Sequence, residues 1–253
     1  MLNLAQHAML GRKLRADDLE DLGRPTQAMI IEAIEAGRLE DAKELARYTV
    51  AEGKSLHNLF CDWIWDMLTR VGEGAGEQAV HDLLRSTQST WMLRRTWKAF
   101  IKLPVRDRVV ITAEVMRSHH CGPQHDGTIE VIEEHNRFVI RMDPCGSGGR
   151  MRRGDPVDGT PSRLGPPYEF GVTHRAHDWS WGYESVPYYC LHCAVNEILP
   201  IEWGGWPLWV TDYDPDHQAP CQWCFYKRPE LVPVRYFERL GFEKPENLGQ
   251  ERD

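Results

Sequence analysis

The length and charge of this sequence exclude several classes of protein. With 253 residues, of which 42% are hydrophobic, the chain is long enough for one large domain or two ordinary ones around a sizeable core. The formal net charge of −8 argues against a nucleic-acid-binding protein, and no apolar run approaches the roughly 20 residues that cross a bilayer. The N-terminal residues mix charge into every turn, so we expect no secretory signal and a cytoplasmic protein.

The first half of the chain has the apolar periodicity of helices. Hydrophobic residues recur at intervals of one helical turn, as at Met29, Ala33 and Ile34. The last helix of this half is predicted to begin near Pro104, because proline suits a first helical turn. We therefore predict a helical bundle over residues 1–118.

The second half, residues 119–253, has a different texture. Alternating apolar and polar residues predict a hairpin with arms at Thr128–Ile132 and Arg137–Met142. A long stretch rich in glycine and proline follows, which predicts an irregular loop, and after it the chain is rich in tryptophan. The fold class we predict is α+β: an N-terminal helical bundle, then a mixed, loop-rich, metal-binding half with a small antiparallel sheet.

Potential metal ligands are concentrated in this second half. Six of the seven cysteines and eight of the eleven histidines lie between His119 and Cys224, and only Cys61 lies in the helical half. In a cytoplasmic protein, cysteines are more often thiols or metal ligands than disulfides. The distribution therefore favours a bound transition metal.

The segment that joins the two halves carries four such groups within seven residues. They are His119, His120, Cys121 and His125. The segment lies where a helix is predicted to end, so these side chains need not point in the same direction. They are candidate ligands, although a histidine at a helix C-terminus is also explained by its interaction with the helix dipole.

A glycine-rich segment, "DPCGSGGR", follows the predicted hairpin. Its glycines expose backbone N–H groups that can bind an anion, and Arg150 stands nearby. A thiol in such surroundings has increased thiolate character, so Cys145 is a candidate catalytic residue and Arg150 a candidate substrate-binding residue. Cys145 as a metal ligand and Cys145 in a flexible turn are the alternatives. We expect no helix after this segment.

The segment "THRAHDWSWG" places two histidines three residues apart, beside two tryptophans. His174 and His177 would face one metal if the segment is helical. We select His177 as a candidate acid, base or ligand, and Trp179 and Trp181 as candidate walls of a substrate pocket. The alternative is that both histidines are packed and hydrogen-bonded against the aromatic rings.

Two C-x-x-C pairs are the strongest motif in the chain. Cys190 and Cys193 are followed, after a gap of 27 residues, by Cys221 and Cys224. If each pair forms a tight turn, both of its sulfurs point to one side, and two such turns enclose a tetrahedral zinc ion. Iron or an iron–sulfur cluster is an alternative occupant, and four buried free thiols are another interpretation.

Two residues beside the first pair indicate a catalytic rather than a purely structural site. His192 would replace one thiolate as a ligand, and a zinc ion with three protein ligands keeps one position for water. Glu197 stands one helical turn after Cys193, where a carboxylate would act as a proton carrier. The alternative for Glu197 is a solvated position on a helix.

The sequence thus leads to two functional hypotheses. The first is a zinc-dependent hydrolase or lyase that acts on a small anionic or aromatic molecule, without nucleic-acid or membrane partners. The second is a non-catalytic binding or regulatory protein with a structural zinc held by four cysteines. A weaker third idea is that the thiols sense oxidants.

Overall fold

The computed structural model describes residues 3–248, and the chain divides into two units between Leu59 and Phe60. The first unit begins with a two-stranded antiparallel hairpin and continues with helices. Its elements are β1 (Leu4–His7), β2 (Arg12–Arg15), α1 (Leu19–Leu22), α2 (Thr26–Glu35) and the first part of α3 (Leu39–Ala75). The hairpin was not predicted, since its strands are only four residues long and none of their residues is buried.

The second unit contains the remaining helices. Beyond the rest of α3 they are α4 (Glu77–Thr87), α5 (Leu93–Phe100), α6 (Val105–Ser118), α7 (Gly148–Arg153), α8 (Leu191–Gly204) and α9 (Arg235–Glu238). A π-helical segment, Gln88–Met92, joins α4 to α5. Short 3₁₀ turns lie at Asp178–Ser180, Tyr188–Cys190 and Pro229–Leu231.

A four-stranded antiparallel sheet also belongs to the second unit. Its strands are β3 (Glu130–Glu133), β4 (Arg137–Met142), β5 (Val210–Asp212) and β6 (Cys221–Tyr226), in the order β3-β4-β6-β5. The hairpin that sequence alternation predicted is β3 and β4, in register from Glu130–Arg141 to Glu133–Phe138. The predicted α+β fold class is confirmed.

The core of the second unit forms where helices cover the sheet. Helix α6 packs on β4 and β6, and α8 packs on β5 and on α4 and α5. Helix α8 is buried along most of its length, from Leu191 to Ile201, because other elements surround it. This burial holds the start of α8, which carries the partly buried Cys190 and Cys193, against the core.

The boundary between the two units differs from the boundary that the sequence predicts. The change of texture at residue 118 lies inside the second unit, because α4 to α6 pack with the sheet and α8 in one core.

Helix α7 occupies the glycine-rich segment in which we expected no helix, so that expectation was wrong. Within the described residues, 3–248, no helix combines the length and apolarity required to cross a membrane.

Candidate functional site

Four cysteines line one small cavity of about 60 Å³ in the second unit. They are Cys145, Cys190, Cys193 and Cys221, and we call this space the thiol cavity. The four come from three separate segments: the loop before α7, the start of α8 and the start of β6. Each is partly buried. The fold therefore gathers thiols that are up to 76 residues apart in the sequence.

Local structure explains how each segment presents its sulfur. Cys190 ends a 3₁₀ turn that runs directly into α8, and Cys193 is one turn further along, so both thiols lie on one side of the chain. Cys221 is the first residue of β6 and pairs with Met142 of β4. Cys145 lies three residues after that same β4 partner, which brings the loop before α7 close to the start of β6.

The glycines of the Cys145 loop are required by close packing. A Cβ atom on Gly146 would lie 1.6 Å from the carbonyl oxygen of His119, and a Cβ on Gly148 would lie 2.7 Å from the sulfur of Cys190. Any side chain at these positions would displace a neighbouring backbone or the thiol itself. Glycine thus lets the Cys145 loop approach both α6 and the start of α8.

The electrostatic surroundings distinguish Cys145 from the other thiols. A hydrogen bond from the Cys121 thiol, together with the Ser147 hydroxyl at 3.4 Å and the backbone N–H groups of Ser147 and Gly149, holds the pKa of Cys145 well below its usual range despite burial. Burial raises the pKa of Cys190 to about 12, and it raises the pKa of Cys193 and Cys221 as well.

The structure does not bring Cys224, the fourth cysteine of the predicted tetrad, to the thiol cavity. The second C-x-x-C pair lies on a β-strand rather than in a turn, and residues three apart on a strand point to opposite faces. The sulfur of Cys224 is buried in the core and accepts a hydrogen bond from Nη1 of Arg137 at 3.3 Å. Cys145 stands at the cavity instead.

Two of the six additional candidate ligands line the thiol cavity, His119 and His192. Nε2 of His192 lies 3.4 Å from the sulfur of Cys193, and its Nδ1 contacts the carbonyl oxygen of Tyr189. Burial lowers the pKa of His192, which favours the neutral imidazole that binds metals. His192 therefore lies beside Cys193 in the wall of the thiol cavity, and His119 lines the same cavity.

The other four candidate ligands lie elsewhere. Cys121 is buried behind Cys145 and accepts a hydrogen bond from the backbone N–H of Gly146 at 3.4 Å. His125 lines a different groove, with Nε2 3.6 Å from Oδ1 of Asp155. The remaining two, His120 and His174, are not among the residues that line the thiol cavity.

His177 and Trp179 form an aromatic and ionic cluster away from the thiol cavity. The ring of His177 stacks on Trp179, with 4.0 Å between ring centroids, and its Nε2 lies 2.8 Å from Oε1 of Glu77. The backbone N–H of His174 donates to the same carboxylate at 2.6 Å. These contacts fix the loop after residue 171 to α4, a packing role.

Glu197 has no exposed surface and accepts three hydrogen bonds. The donors are Nε1 of Trp181 at 2.9 Å, the backbone N–H of Thr211 at 3.0 Å and Nη2 of Arg239 at 2.6 Å. Both Trp181 and Thr211 line the thiol cavity, whereas Glu197 does not. The solvated helix position weighed in the sequence is wrong, and the carboxylate instead supports a wall of the cavity.

Arg150 is also buried rather than open to a substrate. Its Nε donates to the carbonyl oxygen of Gly146 at 3.1 Å, and its Nη2 donates to Oδ1 of Asp62 at 3.1 Å. Oδ2 of Asp62 also accepts a hydrogen bond from Nη2 of Arg163 at 2.7 Å. Arg150 thus connects the Cys145 loop, at the carbonyl group of Gly146, to Asp62 of α3.

A second cavity, of about 620 Å³, shares a wall with the thiol cavity. It lies among α4, the π-helical segment, α5, α6 and α8, and we call it the apolar cavity. The shared wall consists of Met116, His119, Tyr189, His192 and Trp223. A larger groove of about 910 Å³ beside Pro144 is lined by no cysteine, so the apolar cavity is the one that adjoins the thiols.

Trp181, predicted as a wall of a substrate pocket, lines the thiol cavity, and the sequence did not predict the apolar cavity. Its walls come from six separate segments of ordinary amphipathic character, and no spacing in the sequence signals that they meet. Among residues 3–248, no three cysteine, histidine or acidic side chains are already arranged to bind a metal ion.

Comparisons with protein families, curated proteins and solved structures found no match for this chain. Function is therefore inferred from the site alone.

Proposed function

We propose that this chain is a metal-dependent enzyme whose metal ion, zinc, is bound by Cys145, Cys190, Cys193 and Cys221. The observation that supports the proposal is that four thiols from three segments line one cavity of about 60 Å³. Thiolates in tetrahedral sets are preferred zinc ligands, with Zn–S distances near about 2.3 Å. Burying four thiols around a space that no side chain fills is otherwise an unusual way to build a core.

The thiols must move to bind the ion, since they do not already stand in a coordination geometry. The movement required is local, because the donors already face a shared space and lie in a loop, at a helix start and at a strand end. Zinc binding would also release protons from the buried thiols, since the thiolate is the ligand. A cavity of about 60 Å³ suits a single ion better than a cluster of several iron and sulfur atoms.

The reaction class follows from what such a site can offer. A zinc ion with three protein ligands and one open position activates water or polarises a carbonyl group, which is chemistry of a hydrolase or a lyase. Cys145 is the donor on the glycine-rich loop, and its own hydrogen bonds already stabilise its thiolate. We therefore propose Cys145 as the ligand that gives way to a small substrate.

One observation favours a second candidate function. Four thiols are a complete tetrahedral set, and a zinc ion held by all four has no open position. In that case the ion would be structural, linking β6 and α8 to the Cys145 loop, and the protein would be a binding or regulatory module. The two candidates differ in whether Cys145 is needed to retain the metal.

Elemental analysis of the purified protein and of cysteine variants tests the metal centre. We expect one zinc per chain in the wild type and a loss of zinc in Cys221→Ser. The matched control is Cys224→Ser, which changes the same C-x-x-C motif on the same strand but leaves the thiol cavity intact. No zinc in the wild type, or equal zinc in the two variants, would contradict the proposal.

Replacement of Cys145 separates the two candidates. If Cys145→Ser retains zinc with an unchanged fold, the site has the three-ligand form of a catalytic centre. If Cys145→Ser loses zinc and stability together, as Cys221→Ser is expected to do, the site is a closed structural one.

A further inference from the structure

The apolar cavity is large enough for a small organic molecule and lies beside the proposed metal site. Its volume, about 620 Å³, falls within the range of roughly 300–1,000 Å³ that is typical of ligand pockets. Aromatic and aliphatic side chains make up most of its lining, including Trp97, Phe100 and Leu208. Such walls bind apolar surface, so they suit an aromatic or alicyclic molecule, and the half-exposed Trp91, Ile111 and Val115 leave one side of the cavity open to solvent.

Four lining side chains carry a polar atom that has no hydrogen-bond partner within residues 3–248. They are Gln88 and Asn196, with an amide oxygen each, and Trp209 and Trp223, with an indole N–H each. All four residues are more than nine-tenths buried. Neighbouring atoms cover these four polar atoms, so a ligand in the cavity reaches them only if the side chains turn toward it, and such a turn breaks no hydrogen bond of these atoms. A carbonyl oxygen on the ligand would accept from the two indole N–H groups, and a hydroxyl or N–H group would donate to the two amide oxygens.

The wall formed by the π-helical segment is a second, independent sign of function. Helix α4 changes to π-helical geometry at Gln88–Met92 and returns to α-helix in α5. Gln88, Trp91 and Met92 of this segment all line the apolar cavity. Single π-helical turns inside α-helices occur frequently at functional sites.

We infer that the apolar cavity is a substrate pocket for an aromatic or alicyclic molecule that carries a carbonyl or related polar group. The shared wall of His119, Tyr189 and His192 places the polar end of such a molecule next to the thiol cavity. That last step rests on the proposed function, whereas binding of the apolar molecule does not. The inference narrows the substrate from any small anionic or aromatic compound to a largely apolar one.

Binding of prodan, a naphthyl ketone whose emission shifts to the blue in apolar surroundings, tests the inference. We expect one bound prodan per chain, with energy transfer from the tryptophans of the cavity. Ile111→Glu places a carboxylate in the cavity wall and should weaken binding by about tenfold or more. Val110→Glu is the matched control, because Val110 is the preceding residue on α6, is 59% exposed against 46% for Ile111, and does not line the cavity.

The outcomes separate this inference from the proposed metal site. Cys221→Ser removes a thiol that does not line the apolar cavity, so prodan should bind this variant as it binds the wild type. Zinc in the wild type without prodan binding, or equal prodan affinity in Ile111→Glu and Val110→Glu, overturns the substrate pocket alone. Prodan binding without zinc overturns the metal site alone. A wild-type dimer that Ile111→Glu dissociates, with prodan affinity unchanged, identifies this face as a subunit contact and also overturns the pocket.

Discussion

Glu197→Ala should destabilise the second unit by about 3–5 kcal/mol, because it removes one partner of a buried ion pair. The carboxylate has no exposed surface and accepts hydrogen bonds from Trp181, Thr211 and Arg239. Leaving the first two donors without an acceptor costs about 1–3 kcal/mol each. Arg239, whose side chain keeps 17% exposure, can partly return to water and adds less.

Glu197→Gln is the matched variant. Its amide oxygen still accepts from Trp181 and Thr211, while its NH₂ group faces the Arg239 guanidinium without a bond. The loss should therefore be smaller, about 1–3 kcal/mol.

Urea unfolding followed by tryptophan fluorescence and by circular dichroism measures both values. All ten tryptophans lie at or after Trp63, so the fluorescence reports on the second unit. A loss below about 1 kcal/mol in the free energy of unfolding of Glu197→Ala would refute the reasoning. It would mean that the buried Glu197–Arg239 ion pair contributes little to stability.

Two further variants test the thiol cavity and the loop attached to α4. Gly148→Ala should weaken zinc binding by about 10–100-fold, because its Cβ would lie 2.7 Å from the Cys190 sulfur, while Gly74→Ala, whose Cβ would contact nothing within 4 Å, should leave zinc affinity unchanged. Equal affinities in the two would count against the cavity as the zinc site. Burial raises the pKa of Glu77, but hydrogen bonds from the His177 side chain and the backbone N–H of His174 lower this pKa below its ordinary value. The folded state therefore favours the carboxylate, so wild type should be more stable than Glu77→Gln at neutral pH, and thermal unfolding should show this advantage fading as the pH falls below about 4. An advantage that does not change with pH would show that the Glu77 charge contributes nothing.

Much of the fold could be predicted from the sequence, because periodicity is a local signal. Helix α6 and the hairpin of β3 and β4 follow from apolar residues that repeat every helical turn or every second residue. Helix α7 could not be predicted from the sequence. Three of the six residues that precede Arg150 are glycines, and glycine-rich stretches predict a loop. Arg150 of this helix pairs with Asp62, a contact between residues that are distant in the sequence.

The candidate site was only partly predictable. The C-x-x-C spacing predicted that Cys190, Cys193 and Cys221 converge, and all three line the thiol cavity, but spacing cannot distinguish a turn from a strand. Pairing of β6 with β4 and β5 makes the second motif a strand and turns Cys224 away. That Cys145 joins the set depends on a loop returning beside α8, which is tertiary information that no spacing contains.

X-ray absorption at the zinc edge tests the central claim most directly, because it counts the atoms bound to the metal. Purified wild-type protein should show about four sulfur neighbours near about 2.3 Å, or three sulfurs and one lighter atom if Cys145 has given way. The Cys224→Ser variant should give the same spectrum, and Cys221→Ser should lose one sulfur or the metal. A zinc surrounded only by oxygen and nitrogen, or a protein with no metal, would contradict the account.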